Sequence, residues 1–305
     1  MNIMEFIKTV QSKTDNVIKY IFKTDDKLII EFSYINKDDG KDIICIPAQS
    51  MCTVGCKFCH TLEYVGKIKC RNLTDIELLD SILYIVNDLK LESYKRTLLI
   101  SIMGCGEVLY NVQNIIDMMT SIKHELENDE KYKIPFVRFA IATSIPEKSA
   151  EEFFKLTFLI KDYNLPVKIH LSLHYTFDLI RKDWIPKSLD IIPSLSAVDF
   201  YKKVTGNAVE IHYTLISGIN DTEQDAILLS NFLKDKNMNV KFLFFNEKES
   251  IDYHASNKEK LNIFRKYLDK YSISHEYYIP PGLDIGSSCG AFLMDYYLEQ
   301  GLDKI

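Results

Sequence analysis

A chain of 305 residues, of which 47% are hydrophobic and 26% charged, has the composition of an ordinary globular protein that buries a large core. No run approaches the roughly 18 consecutive apolar residues of a membrane span, and the first residues lack the apolar segment of a secretion signal, so we expect a cytoplasmic protein with no membrane partner. The net charge of −6 argues against a broad phosphate-binding surface, although Lys57, Lys67, Lys69 and Arg71 form either a local basic track or a solvated loop.

Along the chain, apolar runs rich in β-branched and aromatic residues alternate with longer segments of helical periodicity. The predicted strands are residues 27–35, 43–47, 97–103, 136–143, 167–173, 208–216, 240–245 and 275–279. The predicted helices lie near residues 75–89, 112–127, 149–161, 196–203, 223–234 and 258–271. Thr74 with Glu77 forms a capping box that marks the start of the first of these helices.

This alternation of strands and helices predicts parallel pairing with right-handed crossovers. The first two strands differ, because residues 36–40 between them read Asn-Lys-Asp-Asp-Gly, which is typical of a hairpin turn. We therefore predict an α/β fold in two parts: a short N-terminal helix and hairpin extension at residues 1–41, and a partial (β/α)6-type barrel at residues 42–305. In such barrels the chemistry lies at the carboxyl ends of the strands.

Cysteines cluster directly after the second predicted strand. Four of the seven in the chain lie between Cys45 and Cys59, and Cys52, Cys56 and Cys59 form a C-x3-C-x2-C run. In a cytosolic protein such clustering indicates metal or redox chemistry rather than a disulfide scaffold. Three thiolates from one loop can bind three irons of a [4Fe–4S] cluster, and the fourth iron is then open to S-adenosylmethionine (SAM). Phe58 would shield such a cluster from water.

Two other interpretations of this cysteine run fit less well. Structural zinc usually has four ligands in paired motifs, and a fourth ligand at His60 would adjoin Cys59, which is poor geometry for tetrahedral coordination. Buried inert cysteines at this spacing are the remaining alternative.

The C-x3-C-x2-C run with an aromatic residue before its third cysteine resembles the motif of the radical SAM superfamily. Within it, the chain resembles the class A radical SAM methyltransferases, the RNA adenine methyltransferases of the RlmN/Cfr type, from about residue 31 to residue 292. The segments that carry the resemblance are 45–52, 66–74, 103–111, 172–186, 218–221 and 284–290. The resemblance implies a radical SAM barrel and a methyltransferase activity.

It also implies roles for three residues outside the cysteine loop. Cys289 would be methylated by a first SAM, and a 5′-deoxyadenosyl radical from a second SAM would activate that methyl group for addition to an sp2 carbon of the substrate. Cys45 would then release the product by forming a disulfide with Cys289. Glu31 would remove the proton from the substrate carbon. For Glu31 the alternative is an outward-facing glutamate on a strand.

The remaining implications concern cofactors and substrate. The positions that correspond to SAM-binding residues of the family are Gly106, Glu107, Ser144, Ser172, Leu173, His174 and Asn246. For His174 the alternative is a core histidine whose hydrogen bonds are satisfied. The expected cofactors are a [4Fe–4S] cluster and SAM, and the expected partner is an electron donor such as flavodoxin or ferredoxin.

The resemblance implies RNA as the substrate, methylated at carbon 2 or 8 of an adenine. The same radical chemistry on a small molecule or a peptide is the first alternative, and a non-catalytic Fe–S or zinc protein is the second. Salt-dependent RNA binding would favour the RNA substrate. Failure to form 5′-deoxyadenosine from SAM after reduction would favour the non-catalytic protein.

Overall fold

One ten-stranded sheet forms the centre of the fold, and its strands lie side by side in chain order. The computed structural model describes residues 4–37, 39–91, 97–247 and 252–286. The strands are β1 (Met4–Gln11), β2 (Val17–Thr24), β3 (Ile29–Lys37), β4 (Lys41–Ile46), β5 (Thr97–Ile102), β6 (Phe136–Thr143), β7 (Val167–Ser172), β8 (Val209–Thr214), β9 (Asn239–Leu243) and β10 (His275–Tyr278). The α-helices of the described residues are α1 (Asp75–Asp88), α2 (Val112–Asn128), α3 (Ala150–Asp162), α4 (Asp178–Trp184), α5 (Ile191–Thr205), α6 (Glu223–Leu233) and α7 (Lys258–Lys270).

Strands β4 to β10 run parallel to one another. Helices follow each of β4 to β9, which gives six strand–helix units, and the short α4 precedes α5 in the fourth unit. The capping box of Thr74 and Glu77 begins α1. The predicted α/β fold with six strand–helix units is therefore confirmed, and β10 adds a seventh parallel strand.

Strands β1 to β4 form an antiparallel meander that continues directly into the parallel strands. The helix predicted within residues 1–41 is wrong, because Met4–Gln11 and Val17–Thr24 are both strands. Cross-strand pairing decides the structure here: Phe6 lies opposite Phe22, with ring centroids 5.9 Å apart, and local periodicity does not reveal such pairs. Strand β2 was not predicted, because Lys19 interrupts its otherwise apolar sequence.

The sheet is rolled, so that strands far apart in its order meet. In a flat sheet, nine steps of about 4.8 Å would separate β1 from β10 by roughly 43 Å. Instead, Lys37 Nζ on β3 lies 5.4 Å from the ring centroid of Tyr278 on β10. Ser12 Oγ, just after β1, donates to Asp284 Oδ1 at 2.6 Å, a few residues beyond β10. The sheet therefore encloses an interior, as a partial barrel does.

Helices cover the outer face of the sheet. Ile44, Ile100 and Ile169 are fully buried in the main apolar core between sheet and helices. Because successive side chains of a strand alternate between faces, Cys45 and Ser101 point to the interior instead. No helix of the described residues combines the length and hydrophobicity needed to cross a membrane.

Candidate active site

The three cysteines of the C-x3-C-x2-C run lie in the loop after β4, with their thiols grouped together. Burial raises the pKa of Cys52 to about 12, and negative charge at Cys59 contributes to the same increase. Burial also raises the pKa of Cys56 well above its usual value, with Cys59 and Cys52 as the next causes. Each thiol is thus close enough to sense the charge of the others, so the structure brings the three predicted cluster ligands together.

Residues in and just after α4 fix the cysteine loop in place. The Lys57 backbone N–H donates to the carbonyl of Trp184 at 2.9 Å, and Lys57 Nζ lies 2.6 Å from Asp183 Oδ1. Lys187 Nζ donates to the carbonyl of Thr53. These contacts hold the loop against the region that joins β7 to α5.

The turn after β5 seats closely on the backbone that leads into the cysteine loop. A Cβ on Gly104 would lie 2.8 Å from the carbonyl oxygen of Ile46, and one on Gly106 would lie 2.7 Å from Gln49 Cβ. Gly106 also has a φ of +106°, which other residues rarely adopt. The carbonyl of Cys105 accepts from the backbone N–H of Gln49 at 3.2 Å. Glycine at both positions is therefore a requirement of this close approach.

Glu107 is a buried brace between the ends of β5 and β6. Its carboxylate accepts hydrogen bonds from Thr143 Oγ1 at 2.6 Å, from the N–H and hydroxyl of Ser144 at 3.1 and 3.0 Å, and from the N–H of Leu109 at 3.2 Å. Burial raises the pKa of Glu107, and the bonds from Thr143 and Ser144 oppose that increase. Glu107 thus positions Ser144, a second residue of the predicted SAM set.

Arg181 is a fully buried cation that joins the ends of β6 and β7. Its Nη1 donates to the carbonyls of Ser172, at 2.7 Å, and Leu173, its Nη2 donates to the carbonyl of Ser144 at 2.9 Å, and its Nε donates to the carbonyl of Leu189 at 3.0 Å. Burial lowers its pKa to about 10, so the guanidinium remains charged at neutral pH. The sequence analysis assigned no role to Arg181, because its four partners are backbone carbonyls, which residues of any type can provide.

His174 adjoins the cysteine loop, and its protonation state is defined by its partners. Burial lowers its pKa to about 3, so the ring is neutral. Its Nδ1 accepts from the backbone N–H of Thr214 at 3.1 Å, which puts the ring proton on Nε2. Phe58 contacts the ring edge to face, with centroids 4.9 Å apart. The hydrogen bond at Nδ1 is therefore that of a core histidine. Nε2, by contrast, carries a proton that it can donate beside the cysteine loop.

A second group of reactive side chains occupies the barrel interior. Lys19 Nζ lies 2.7 Å from Glu31 Oε2, and their side chains are 1% and 10% exposed. Glu31 therefore faces inward, which excludes the outward-facing alternative. Burial raises the pKa of Cys45 to about 11; the charge of Glu31 raises it, whereas that of Lys19 lowers it. Glu31, the predicted base, and Cys45, the predicted resolving thiol, are therefore neighbours. The sequence analysis did not identify Lys19, which lies on β2.

Comparisons with known proteins agree with this geometry. No protein-family profile matches the chain. A probable dual-specificity RNA methyltransferase RlmN of Lachnoclostridium phytofermentans is 30% identical over 95% of this chain and 77% of its own length. The corresponding protein of Clostridioides difficile is 29% identical over 94% of this chain and 79% of its own. This chain belongs to the RlmN family.

The structural comparison extends this result. A radical SAM methyltransferase of Sphaerobacter thermophilus superposes with a TM-score of 0.82 at 25% identity, covering 95% of this chain and 81% of the other. The RlmN-family chain is therefore a radical SAM methyltransferase with the fold that its sequence predicts. SAM is its cofactor by family, which confirms that part of the cofactor prediction.

The grouped thiols of the cysteine loop fit an iron–sulfur cluster. Burial raises the pKa of Cys52 and Cys56, and the charge of Cys59 is the next cause at both, so a bound cation would favour their thiolate forms. Cys52, Cys56 and Cys59 would hold the cluster by three irons. The six cysteines of the described residues are all free, so none of them competes for the loop through a disulfide.

The SAM-binding positions predicted from the family occupy one end of the barrel. Gly106 and Glu107 follow β5, Ser144 follows β6, Ser172 ends β7 and Leu173 and His174 come directly after it, and Asn246 comes three residues after β9. Cys289 lies outside the described residues. The segment before it is anchored, because Asp284 accepts from Ser12 and from the backbone N–H of Lys13 at 2.6 and 2.8 Å.

A buried polar network that sequence analysis also missed lies deeper in the interior. His170 Nδ1 is 2.7 Å from His212 Nε2 and 3.0 Å from Glu210 Oε1, an arrangement able to hold a metal ion. Lys168 Nζ and Lys241 Nζ, however, lie 2.6 and 3.0 Å from the same carboxylate. Two ammonium groups on its single carboxylate make the cluster a charge network of the barrel lining.

Proposed function

We propose that this RlmN-family enzyme moves a SAM-derived carbon through Cys289 to an sp2 carbon of its substrate, namely carbon 2 or 8 of an adenine in RNA. The observation that carries the proposal is the interior pairing of Glu31 with Lys19 beside Cys45. Methyl transfer by this route needs a base and a second thiol at one site, and these two residues supply both. The names of the relatives, probable RNA methyltransferases, support RNA as the substrate.

The cofactors would supply two things: a 5′-deoxyadenosyl radical that removes a hydrogen atom from the methyl group on Cys289, and an acceptor for the single unpaired electron that remains once the methylene radical has added to the substrate carbon. The protein's own groups would do the rest. Glu31 would take the proton from the substrate carbon that has gained the new bond. Cys45 would attack the Cys289 sulfur, so that an S–S bond forms and the S–C bond to the product breaks. An external dithiol reductant would restore both thiols, and flavodoxin or ferredoxin would provide the electron for SAM cleavage.

In this proposal the ends of the strands hold SAM. The residues that would contact it are Gly106, Glu107, Ser144, Ser172, Leu173, His174 and Asn246. The Nε2–H of His174 is a preformed donor for such a contact, because its Nδ1 already accepts from the backbone. Arg181 would act on SAM indirectly, by fixing the carbonyls of Ser144 and Ser172.

Chain length supports a meeting of Cys289 with Cys45. Tyr278 on β10 lies near Cys45, since a thiolate there is the next cause, after burial, of its raised pKa. Cys289 lies eleven positions after Tyr278 in the sequence, and eleven steps of extended chain reach up to roughly 36 Å. The hydrogen bond from Ser12 to Asp284 holds the beginning of this segment against the barrel.

The test is peptide mass spectrometry on anaerobically reconstituted protein given SAM with an isotopically labelled methyl group, with and without RNA. We expect one methyl group on the Cys289 peptide and label in RNA adenine. Cys289→Ala should abolish transfer yet still form 5′-deoxyadenosine, and Cys45→Ala should accumulate a covalent RNA adduct. Cys70→Ala is the matched control, since that thiol donates to the carbonyl of Met51 and has no role in the proposed mechanism.

Each other outcome has a defined meaning. An unmethylated Cys289 in active enzyme would refute the carrier role. Methylated Cys289 with no label in RNA, but with 5′-deoxyadenosine formed, would redirect the search to a small molecule or a peptide. Normal turnover by Cys45→Ala would refute the resolving role of that thiol.

A further inference from the structure

Four adjacent strands present one row of polar side chains to the barrel interior. In register, Lys19 on β2 lies opposite Ser33 on β3, Ser33 opposite Cys45 on β4, and Cys45 opposite Ser101 on β5. Glu31 precedes Ser33 by two residues and so projects from the same face. The lysine, the carboxylate and the thiol therefore occupy neighbouring positions on one concave surface.

The ion pair within this row is almost completely removed from water. Lys19 Nζ lies 2.7 Å from Glu31 Oε2, with side chains that are 1% and 10% exposed. Desolvation offsets most of the attraction in such a pair, so a buried ion pair adds little stability compared with apolar packing. Its strongest effect falls on the charge state of groups beside it, where solvent screening is weak.

Cys45 is such a group, and the groups that face it are known from every packed strand. Lys19 on β2 and Glu31 on β3 act with opposite sign, Ser101 on β5 and the backbone of Met103 hydrogen-bond the sulfur, and Tyr278 faces it from β10. While Glu31 is ionised, its charge counteracts that of Lys19 at the thiol. If Glu31 gains a proton, its charge no longer counteracts that of Lys19 at the thiol.

We propose that Lys19 is a positioning residue that makes Cys45 reactive after Glu31 has taken a proton. This inference rests on the roles proposed above for Glu31 and Cys45. With Glu31 charged, Lys19 is paired and Cys45 stays a thiol. Once Glu31 holds the substrate proton, the ammonium of Lys19 stabilises the Cys45 thiolate, and attack on Cys289 begins. Product release therefore follows deprotonation and does not precede it.

The step balances without a further reactant. Cys45 loses its proton and attacks the Cys289 sulfur, the S–S bond forms, and the electron pair of the broken S–C bond stays on the departing carbon. That carbon takes up one proton, so the thiol proton is accounted for and the product carries a methyl group. The two sulfurs are oxidised and the carbon is reduced. Glu31 later loses its proton to solvent.

The test measures Cys45 reactivity directly, in reconstituted full-length protein without substrate. Iodoacetamide labelling is followed from pH 6 to pH 10, and the Cys45 peptide is quantified by mass spectrometry. We expect Lys19→Met to slow labelling at pH 8 by about tenfold and Glu31→Gln to speed it by about tenfold, since one pKa unit is a factor of ten in thiolate. Lys19→Arg should stay near the wild-type profile.

Controls separate this effect from general damage. Lys23→Met is the matched variant, because Lys23 lies on the same face of β2 and pairs only loosely with Glu5, at 3.8 Å on the surface. It should leave the Cys45 profile unchanged. The double variant Lys19→Met/Glu31→Gln should return towards the wild-type profile. If Lys19→Met does not fold, the Glu31→Gln profile decides alone.

The outcomes also separate this inference from the proposed function. Cys45 profiles that do not move in Lys19→Met or Glu31→Gln would overturn the role of Lys19, even in an enzyme that methylates RNA. Profiles that move as expected in a protein that never methylates Cys289 would reject the methyl-transfer proposal instead. In active enzyme, Lys19→Met should accumulate the Cys289-linked adduct, and rapid product release by this variant would overturn the inference.

Discussion

The antiparallel and parallel parts of the sheet contribute to the site in different ways. From β4 onward, the parallel part fixes the backbone of residues proposed to bind the cofactor: Arg181 binds four carbonyls, and Glu107 binds the N–H of Ser144. The antiparallel part contributes charged side chains, Lys19 and Glu31, that project into the interior. In the proposed mechanism, cofactor binding and proton transfer therefore depend on separate parts of one sheet.

This division teaches how the site tolerates change. A backbone brace acts through several hydrogen bonds at once, so its loss should lower stability and cofactor binding together. A charged side chain in the interior acts through the electrostatics of its neighbours, so its loss should alter the reactivity of those neighbours.

The largest effect is expected at the cysteine loop. Cys56→Ala removes one of three ligands, and we expect loss of the bound cluster and of SAM cleavage. Iron content and visible absorbance after anaerobic reconstitution provide the measurement. Cys70→Ala is the control and should retain both. A Cys56→Ala protein that still cleaves SAM at the wild-type rate would remove this cysteine from the ligand set.

The next effect tests the backbone brace of the parallel part. Arg181→Met leaves the carbonyls of Ser144, Ser172 and Leu173 without their buried donor, and we expect the free energy of unfolding to fall by about 3–5 kcal/mol. SAM affinity should fall with it. Denaturant unfolding and equilibrium binding measure the two. The control is Arg265→Met, whose exposed guanidinium has only a weak contact with Asn262 at 3.5 Å. An unchanged unfolding free energy in Arg181→Met would contradict the brace.

A smaller effect concerns the pH dependence of stability. His174 has a folded pKa of about 3, below its ordinary 6.5. The unfolded chain therefore binds more protons below pH 6.5, so this contribution is complete above pH 6.5 and is lost as the pH falls towards 3. The free energy of unfolding lost through His174 between pH 6.5 and pH 5 amounts to about 2 kcal/mol.

His174→Gln keeps an acceptor for the N–H of Thr214 but cannot be protonated. We expect its unfolding free energy to fall less steeply than that of the wild type between pH 6.5 and pH 5, by denaturant titration at each pH. His124→Gln, on the exposed side of α2, should leave the slope unchanged. Parallel curves for wild type and His174→Gln would show that this histidine is not held neutral by burial.

The smallest effect tests the link between the two edges of the sheet. Asp284→Ala releases the segment before Cys289 from Ser12 and Lys13. We expect methyl transfer to fall several-fold while SAM cleavage without substrate stays constant, because the cysteine loop is not touched. Asp235→Ala, exposed after α6, is the control. Equal losses in transfer and cleavage would mean that the anchor supports the whole site.

Much of the fold was accessible from sequence because its signals are local. The strands β4 to β10 and the helices that follow them show strong periodicity, and the capping box at Thr74 lies where it was predicted. The N-terminal strands were harder, since β1 depends on pairing with β2, and β2 contains a buried lysine. The short α4 was missed as well, because seven residues give too little periodicity to distinguish a helix.

The site divides along the same line. The spacing of Cys52, Cys56 and Cys59 predicts them as cluster ligands, and the structure groups their side chains in one loop. Lys19 and Arg181 could not be found in this way, because their importance arises from partners far away in sequence: Glu31 for one, and carbonyls after β6 and β7 for the other. The orientation of Glu31 follows from the burial of its side chain in the structure. The sequence alone does not show whether a single glutamate is buried.

The alternation of β2 ties its lysine to the hydrophobic packing on its other face. Tyr20 and Phe22 are buried under the helices, and the Tyr20 hydroxyl donates to Asp88 on α1 at 2.7 Å. A shift of this strand by one residue would expose those rings to the barrel cavity and place the ammonium among aliphatic side chains. The packing of Tyr20 and Phe22 against the helices therefore fixes the face from which Lys19 projects, and we expect mutations that disturb this packing to displace the lysine from the barrel interior.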